Sequence, residues 1–299
     1  MGKKNMYTGY LIVIISAVIY GTMPLMAKYI YADGVSSLTL VFLRNLLSAP
    51  VLAVLAWRQA GSLRIPAKVL PKVSIIALLG CCVTPMLLFT SYRFIPSSMA
   101  TVFHFAYPAL VVVGGILFYK KRAAKAELLA VAICVLGIAC FYDPSEAMDL
   151  RGAALALFSA VTFAGYVLLL AAFRNPQVTG FRFTFYIALI CSAVMLPVCL
   201  LTGQLALPTS LTGWLLSVLF AVGVNVGAVY LFQQGAFLIG GERTSILSAF
   251  EPITSLFVGA LVLHEAIGLW EAVGSGLVIG ACVLVGAADM RKAKKAVEE

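Results

Sequence analysis

Long apolar runs separated by short polar turns make up almost the whole chain. A helix needs roughly 20 apolar residues to cross a bilayer. Ten stretches of about that length lie near residues 8–30, 37–57, 71–92, 98–118, 126–142, 151–173, 181–202, 212–235, 243–263 and 269–289. Turn and helix-stop signals such as Asp33-Gly34 and Asp143-Pro144 stand between them. The pattern predicts an all-α integral membrane protein of ten transmembrane helices.

Composition places the chain in a lipid bilayer and excludes a soluble class. Only 11% of the residues are charged and 62% are hydrophobic, whereas soluble domains carry about 25% charged residues. The net charge of +9 resides in short segments between the apolar runs, and no RNA or DNA recognition motif is visible. We therefore expect no nucleic-acid partner. The first apolar run is too long for a signal peptide and is predicted to be retained.

The distribution of basic residues tests the number and orientation of these helices. If the N-terminus is cytoplasmic, 17 Lys and Arg side chains fall on the cytoplasmic side, and only Lys28, Arg93 and Arg151 fall outside. Such a bias is the positive-inside signal of multi-pass proteins. It predicts a protein of the cell membrane, either plasma or inner, with both termini in the cytoplasm.

The two halves of the chain also resemble each other at an offset of 143–144 residues. Pro108 matches Pro252, and Gly137 matches Gly280. Because each half has an odd number of helices, the second copy is inverted relative to the first. Inverted repeats are common in secondary transporters, whose substrate sites lie near the midplane at the repeat interface. The predicted units are two five-helix repeats, residues 8–142 and 150–289, and a basic cytoplasmic tail, residues 290–299.

Several local motifs carry a family resemblance. The second predicted helix contains Phe42-Leu43-Arg44-Asn45, and the ninth contains Glu251-Pro252 and ends at Leu263-His264-Glu265. The first half keeps Pro108 but has Lys121 where a glutamate is common in the family. Over essentially its whole length the chain resembles the drug/metabolite transporter superfamily, in its bacterial EamA-type branch. The resemblance implies a central cavity lined by helices one to four and six to nine. Helices five and ten would support the fold or a dimer interface, in a monomer or a homodimer.

Three ionisable residues at membrane depth are functional candidates, because each costs several kcal/mol if it faces lipid. Arg44 and His104 are predicted to share the outer half of the cavity, with Glu251 slightly below the midplane. Arg44 either binds a substrate carboxylate or pairs with a carbonyl or with Glu251. His104 either titrates during proton-coupled transport or is a neutral histidine bonded within the bundle. Glu251 either carries a proton or forms a structural pair.

Further polar residues extend this predicted site. Ser248 shares a helical face with Glu251, and this face is predicted to lie opposite His104 and Tyr107. Other polar side chains are predicted to face the cavity, with a helix–helix hydrogen bond as the alternative for each. They are Tyr20, Tyr92, Asn225 and Gln233. The pairs Gly223/Gly227 and Gly276/Gly280 predict close helix contacts.

Together these features predict a secondary transporter that exports amino acids or related small metabolites by alternating access. No phosphate-binding loop indicates coupling to ATP. The seven cysteines lack metal-ligand spacing, so we expect neither a metal nor a cofactor. An intramembrane enzyme needs a nucleophile and base, and only His104 and His264 are available, so we expect no enzyme. The alternatives are an importer of the same solute class and a non-transporting binding or scaffold protein.

Overall fold

Helices form all the regular structure in the part of the chain that the computed structural model describes: residues 3–95, 97–120, 124–140, 149–173, 175, 178–263 and 268–298. The helices of the first half are α1 Lys3–Gly21, α2 Met23–Ala32, α3 Ser37–Ala60, α4 Leu70–Ala77, α5 Thr84–Ser91, α6 Ser97–His104, α7 Tyr107–Tyr119 and α8 Lys125–Ala139. Those of the second half are α9 Leu150–Ala172, α10 Gly180–Leu201, α11 Leu211–Ala221, α12 Tyr230–Ile239, α13 Gly241–Leu247, α14 Phe250–Leu263 and α15 Leu269–Glu298.

Within the part of the chain that the structure describes, seven helical segments are long and apolar enough to cross a membrane. They are Asn5–Ala32, Ser37–Ala60, Ala67–Ser91, Leu150–Ala172, Gly180–Leu201, Leu211–Ile239 and Gly241–Val262. Two shorter apolar helices lie at Tyr107–Tyr119 and Ala272–Ala281. Large apolar side chains point outwards, with Phe118 77% and Leu201 88% exposed, as lipid-facing residues do. The predicted class, an all-helical multi-pass membrane protein, is confirmed.

Helix α3 shows how local sequence sets the ends of a segment. At its start the Ser36 hydroxyl oxygen accepts a 3.1 Å hydrogen bond from the backbone N–H of Thr39, which is the usual role of a serine N-cap. At its end Gly61 adopts φ +66°, a left-handed conformation that glycine adopts without steric cost. The helix between these two signals extends three residues beyond the predicted run that ends at residue 57.

Three predicted continuous helices are interrupted next to a proline. The first is broken at Thr22, just before Pro24, between α1 and α2. The breaks between α6 and α7 and between α13 and α14 precede Pro108 and Pro252. A proline lacks the N–H that would bond to the carbonyl four residues earlier, and its ring collides with that carbonyl. Each break therefore lies where the apolar pattern continues but the series of helical backbone hydrogen bonds is interrupted.

Two further segments contain π-helical turns. They are Leu78–Val83, between α4 and α5, and Val222–Val229, between α11 and α12. The two segments begin 144 residues apart, at positions 78 and 222. Pro85 follows the first, and it cannot donate to the carbonyl of Cys81 four residues earlier. Such turns occur frequently at functional sites.

The two halves pack against each other through a reciprocal set of helix pairs. Helix α3 lies along α10, and α8 lies along α15. Helix α1 packs against α12 and α14, while α9 packs against α5 and α7. Each of these contacts has a counterpart in which the two halves exchange places.

Glycine contacts differ from the sequence prediction. A Cβ placed on Gly223, Gly276 or Gly280 would meet nothing within 4 Å, so the predicted close contacts at these three are wrong. A Cβ on Gly137 would lie 2.9 Å from the carbonyl oxygen of Gly274. This contact brings α8 against α15. At Gly227 the predicted close contact is present, because a Cβ there would lie 3.1 Å from Ile19 Cδ1.

Hydrogen bonds tie the halves together at one end of the bundle, here called the Asp33 face. The backbone N–H groups of Thr209 and Ser210 donate to Asp33 Oδ2 over 2.8 and 3.1 Å. The hydroxyls of Ser36 and Thr39 both donate to the carbonyl of Gln204 over 2.6 Å. These contacts join the loop before α3 to the loop before α11.

The opposite end is here called the Arg64 face. The N–H of Phe181 donates to Gln59 Oε1 over 2.9 Å. The Arg182 guanidinium donates to the carbonyl of Arg64 over 3.1 Å. These two bonds connect the end of α3 and its following loop to the start of α10.

Candidate functional site

A small cavity lies between the halves, bounded by α2, α5, α6 and α14. Its volume is about 20 Å³, which is room for roughly one water molecule. Sites for small molecules usually exceed about 300 Å³. The polar residues that line it are Tyr92, Thr101, His104, Glu251 and Ser255. We call it the His104–Glu251 cavity, and in this conformation it cannot hold an amino acid.

His104 is held in place by a serine of the other half. Its Nδ1 lies 2.8 Å from the hydroxyl oxygen of Ser159 on α9, and that hydroxyl donates to the carbonyl of Ala156 over 2.6 Å. With its single proton given to Ala156, the hydroxyl accepts from Nδ1. The hydrogen-bond network thus assigns a proton to Nδ1. Nε2 takes no part in this bond.

Glu251 places an acid in the same cavity. It stands in the first turn of α14, next to Pro252 and directly after the break at Ser248 and Ala249. No described side chain forms an ion pair or a hydrogen bond with its carboxylate. Tyr20, Tyr92 and Tyr107 lie within electrostatic range of it. The cavity therefore combines one carboxyl group, one imidazole and the phenol of Tyr92.

Arg44 lies elsewhere in the bundle. It is 4% exposed, and its Nη2 lies 3.4 Å from the carbonyl oxygen of Cys81 in the first π-helical segment. Its Nε has no hydrogen-bond partner among the described residues. Because Pro85 cannot donate to that carbonyl, the carbonyl is left for the guanidinium. The described lining of this small cavity does not include Arg44, and a transport cavity shared by Arg44 and His104 stays a prediction. Arg44 makes the carbonyl contact that was one of its two structural alternatives.

Asn225 and Gln233 bind other helices and not the cavity. The Asn225 amide lies 3.0 Å from the carbonyl oxygen of Arg44 and 2.9 Å from the hydroxyl of Ser48. Gln233 Oε1 accepts a 2.7 Å hydrogen bond from Thr184 on α10. Both side chains therefore follow the alternative of a helix–helix hydrogen bond, and neither lines the cavity.

The four remaining predicted residues surround the cavity at different distances. Tyr92 lines it directly. Tyr20 lies within electrostatic range of both Arg44 and Glu251. The Tyr107 hydroxyl is 3.4 Å from the carbonyl of Ser245, and the Ser248 hydroxyl donates to the carbonyl of Thr244 over 2.9 Å. The Ser248 hydroxyl therefore donates its hydrogen bond within its own helical segment. His264 and Glu265, named in the family motif, lie outside the described residues, as does Lys121.

An aromatic cluster that sequence reasoning missed separates the cavity from the Arg64 face. Phe163 on α9 lies 4.7 Å from Tyr107 and 5.4 Å from both His104 and Tyr166, measured between ring centroids. Phe232 on α12 is 5.5 Å from Phe163. Nothing in an apolar helix distinguishes a phenylalanine that faces lipid from one that blocks a pathway.

The chain is similar to several curated transporters and to a solved structure. The uncharacterized transporter YcbK of Bacillus subtilis is 25% identical over 272 residues, covering 87% of each chain. The uncharacterized inner membrane transporter YicL of Salmonella typhimurium is 25% identical over 269 residues, covering 85% of this chain and 87% of its own. A crystal structure superposes with a TM-score of 0.73 over 95% of this chain and 98% of that chain, at 18% identity. That likeness shows a shared fold.

The sequence model of one family matches twice along the chain. The EamA-like transporter family is matched by residues 7–142 and again by residues 150–287. These two matches span nearly the whole protein, and they agree with the resemblance read from the Arg44 and Glu251-Pro252 motifs. The chain belongs to the EamA-like transporter family.

Proposed function

We propose that this transporter is a secondary exporter of amino acids or related small metabolites that works by alternating access. Membership of a transporter family gives the general activity. The observation that carries the mechanism is the His104–Glu251 cavity, which lies between the two halves and is too small for a solute. A solute reaches such a site only if the halves move relative to each other.

The architecture behind this mechanism is ten transmembrane helices in two inverted repeats, residues 8–142 and 150–289. Three findings support it. The family matches once in each half, the π-helical segments begin 144 residues apart, and the contacts between halves are reciprocal. The distribution of basic residues supports cytoplasmic termini in a cell membrane. The Arg64 face is then cytoplasmic.

The two sides of the cavity are closed by different means. At the Asp33 face the halves are joined by exposed hydrogen bonds to Asp33 and partly buried ones to Gln204. Toward the Arg64 face the packed rings of Tyr107, Phe163 and Phe232 fill the space. A few hydrogen bonds that exchange with water break at little cost. We call the hydrogen bonds to Asp33 and Gln204 the Asp33 latch. We therefore infer that opening toward the Asp33 face requires these hydrogen bonds to break.

Coupling to protons is the second part of the proposal. Glu251 has no described ion-pair partner, and the hydrogen bond of His104 to Ser159 uses Nδ1 and leaves Nε2 for a proton. A charged solute that enters the cavity would change the protonation of Glu251, of His104 or of both. Import of the same solutes uses the same groups with the gradient reversed, so the direction of net transport must be measured.

Two experiments test the mechanism. The first is efflux of radiolabelled amino acids and metabolites from liposomes that contain the purified protein. Saturable binding without flux would instead favour a non-transporting binding protein.

The second experiment locks the Asp33 face with the pair Asp33→Cys and Thr209→Cys. We expect oxidation to stop flux and reductant to restore it, while each single variant transports in both conditions. Full flux in the crosslinked protein would overturn alternating access through this face.

A further inference from the structure

A groove of about 380 Å³ opens at the Arg64 face, between the start of α4 and the end of α9. This volume falls within the usual range for ligand sites. Its lining shares no residue with that of the His104–Glu251 cavity. The groove is therefore separate from the site proposed for transport.

Charge and apolar surface are segregated along the groove. Lys68 lies in the 3₁₀ turn before α4, and Lys72 lies in the first turn of that helix. Ile75 follows one turn deeper on the same face and is 52% exposed. On the opposite wall, Leu169 and Ala172 of α9 continue the apolar surface. The mouth of the groove is cationic and its interior is apolar.

The two segments that form the groove carry positive charge and no carboxylate. The sequence from residue 58 to 76 holds four basic residues and no acid, and the sequence from 168 to 182 holds Arg174 and Arg182 and no acid. Arg174 lies outside the described residues. Among the described residues neither Lys68 nor Lys72 forms an ion pair. The uncompensated charge favours a ligand with a negative group.

We propose that this groove binds an anionic phospholipid of the surrounding membrane. The phosphate lies between Lys68 and Lys72, and one acyl chain runs along Ile75, Leu169 and Ala172. Basic pockets between transmembrane helices on the cytoplasmic side recognise anionic headgroups in this way, with lysine stems lying along apolar surface. A small polar solute would not cover the exposed apolar wall.

The test is native mass spectrometry of the full-length protein in mild detergent, titrated separately with phosphatidylglycerol and phosphatidylcholine. The test variant is Lys68→Gln with Lys72→Gln. The control, Arg58→Gln with Lys125→Gln, removes two exposed basic residues that do not line the groove. Ala172→Phe is a third variant, which keeps the charges and fills the apolar wall.

We expect wild type to retain one phosphatidylglycerol molecule in preference to phosphatidylcholine. The Lys68/Lys72 variant should bind it about thirtyfold more weakly than the control, as expected for two lysines near an anionic headgroup at about 1 kcal/mol each. Ala172→Phe should also weaken binding. Three results would overturn the proposal: equal loss in the test and control variants, equal retention of phosphatidylcholine, or displacement of the lipid by millimolar inorganic phosphate.

Discussion

The side-chain amide of Asn225 donates a 3.0 Å hydrogen bond to the backbone carbonyl of Arg44. It joins the second π-helical segment to α3, and therefore joins the second half of the chain to the first. The same amide lies 3.1 Å from Asn45 Oδ1 and 2.9 Å from the Ser48 hydroxyl. One residue of the second half thus holds the turn of α3 from which Arg44 projects.

Replacement of this amide should loosen the contact between the halves. Asn225→Leu keeps the approximate volume but removes the donors, so that buried acceptors on α3 lose their partner. We expect a loss of about 1–2 kcal/mol in unfolding free energy, the upper range for hydrogen bonds between membrane helices. Thermal unfolding of the detergent-solubilised protein measures the change. Ser192→Ala is the control, because this buried hydroxyl bonds only to Ala188 of its own helix, and an equal loss in both variants would contradict the prediction.

The two π-helical segments offer a matched pair of glycines. A Cβ on Gly80 would overlap the ring of Tyr166, which is 2% exposed and cannot move aside freely. A Cβ on Gly223, the second residue of the other segment, would meet no described atom within 4 Å. Gly80→Ala should therefore destabilise the protein by about 1–3 kcal/mol, as overpacking does, while Gly223→Ala should be nearly neutral.

Thermal unfolding of both glycine variants checks this difference. A second comparison isolates the cause, because Tyr166→Leu should partly relieve the effect of Gly80→Ala if the two positions are coupled. Similar midpoints for the two glycine variants would show that the close approach of Gly80 and Tyr166 is unimportant for stability.

The Asp33 latch should depend on pH. Hydrogen bonds from Ser210 and Thr209 hold the pKa of the Asp33 carboxyl below its usual value of 3.8. Because the folded-state pKa is lowered, the latch contributes stability that is fully present above about pH 4. This contribution is lost as the pH falls through the lowered pKa.

Asp33→Asn removes the charge and isolates this contribution. We expect the variant to unfold at a lower temperature than wild type at pH 7, and the difference between the two midpoints to shrink as the pH falls below about 4. Thermal unfolding between pH 3 and pH 7 measures it. Acid unfolding common to both proteins cancels in the difference, and a difference independent of pH would show that the carboxylate charge does not hold the latch.

Glu251→Gln should separate solute movement from proton coupling. The amide keeps the size of the side chain but cannot exchange a proton. We expect solute accumulation driven by an imposed pH gradient to be lost, while exchange of labelled for unlabelled solute continues. Proteoliposomes loaded with the solute found in the efflux screen allow both measurements. Glu242→Gln, on neighbouring α13, is the control and should keep both activities. Gradient-driven accumulation at the wild-type rate in Glu251→Gln would assign this acid a structural role.

Much of the fold could be predicted because it depends on local sequence. Apolar runs, turn residues and the motif around Glu251-Pro252 led to a membrane-spanning helical protein of the EamA type. Helix interruptions at Pro108 and Pro252 were not predicted, although the prolines were visible, because an apolar pattern does not show where a backbone ladder fails. The predicted contacts at Gly276 and Gly280 were wrong since spacing alone does not show which face of a helix meets a neighbour.

By itself the sequence determined the membrane environment, the transporter family and the polar residues buried in the helices. Only the tertiary structure decided which of these residues meet. A π turn adds about one residue to a helix and rotates everything after it by about 100°, so the direction of Asn225 and Gln233 depends on a local distortion and on the helices packed around it. Asn225 binds α3, Gln233 binds α10, and Arg44 contacts the carbonyl of Cys81, to which Pro85 cannot donate. His104 and Glu251 line the same cavity.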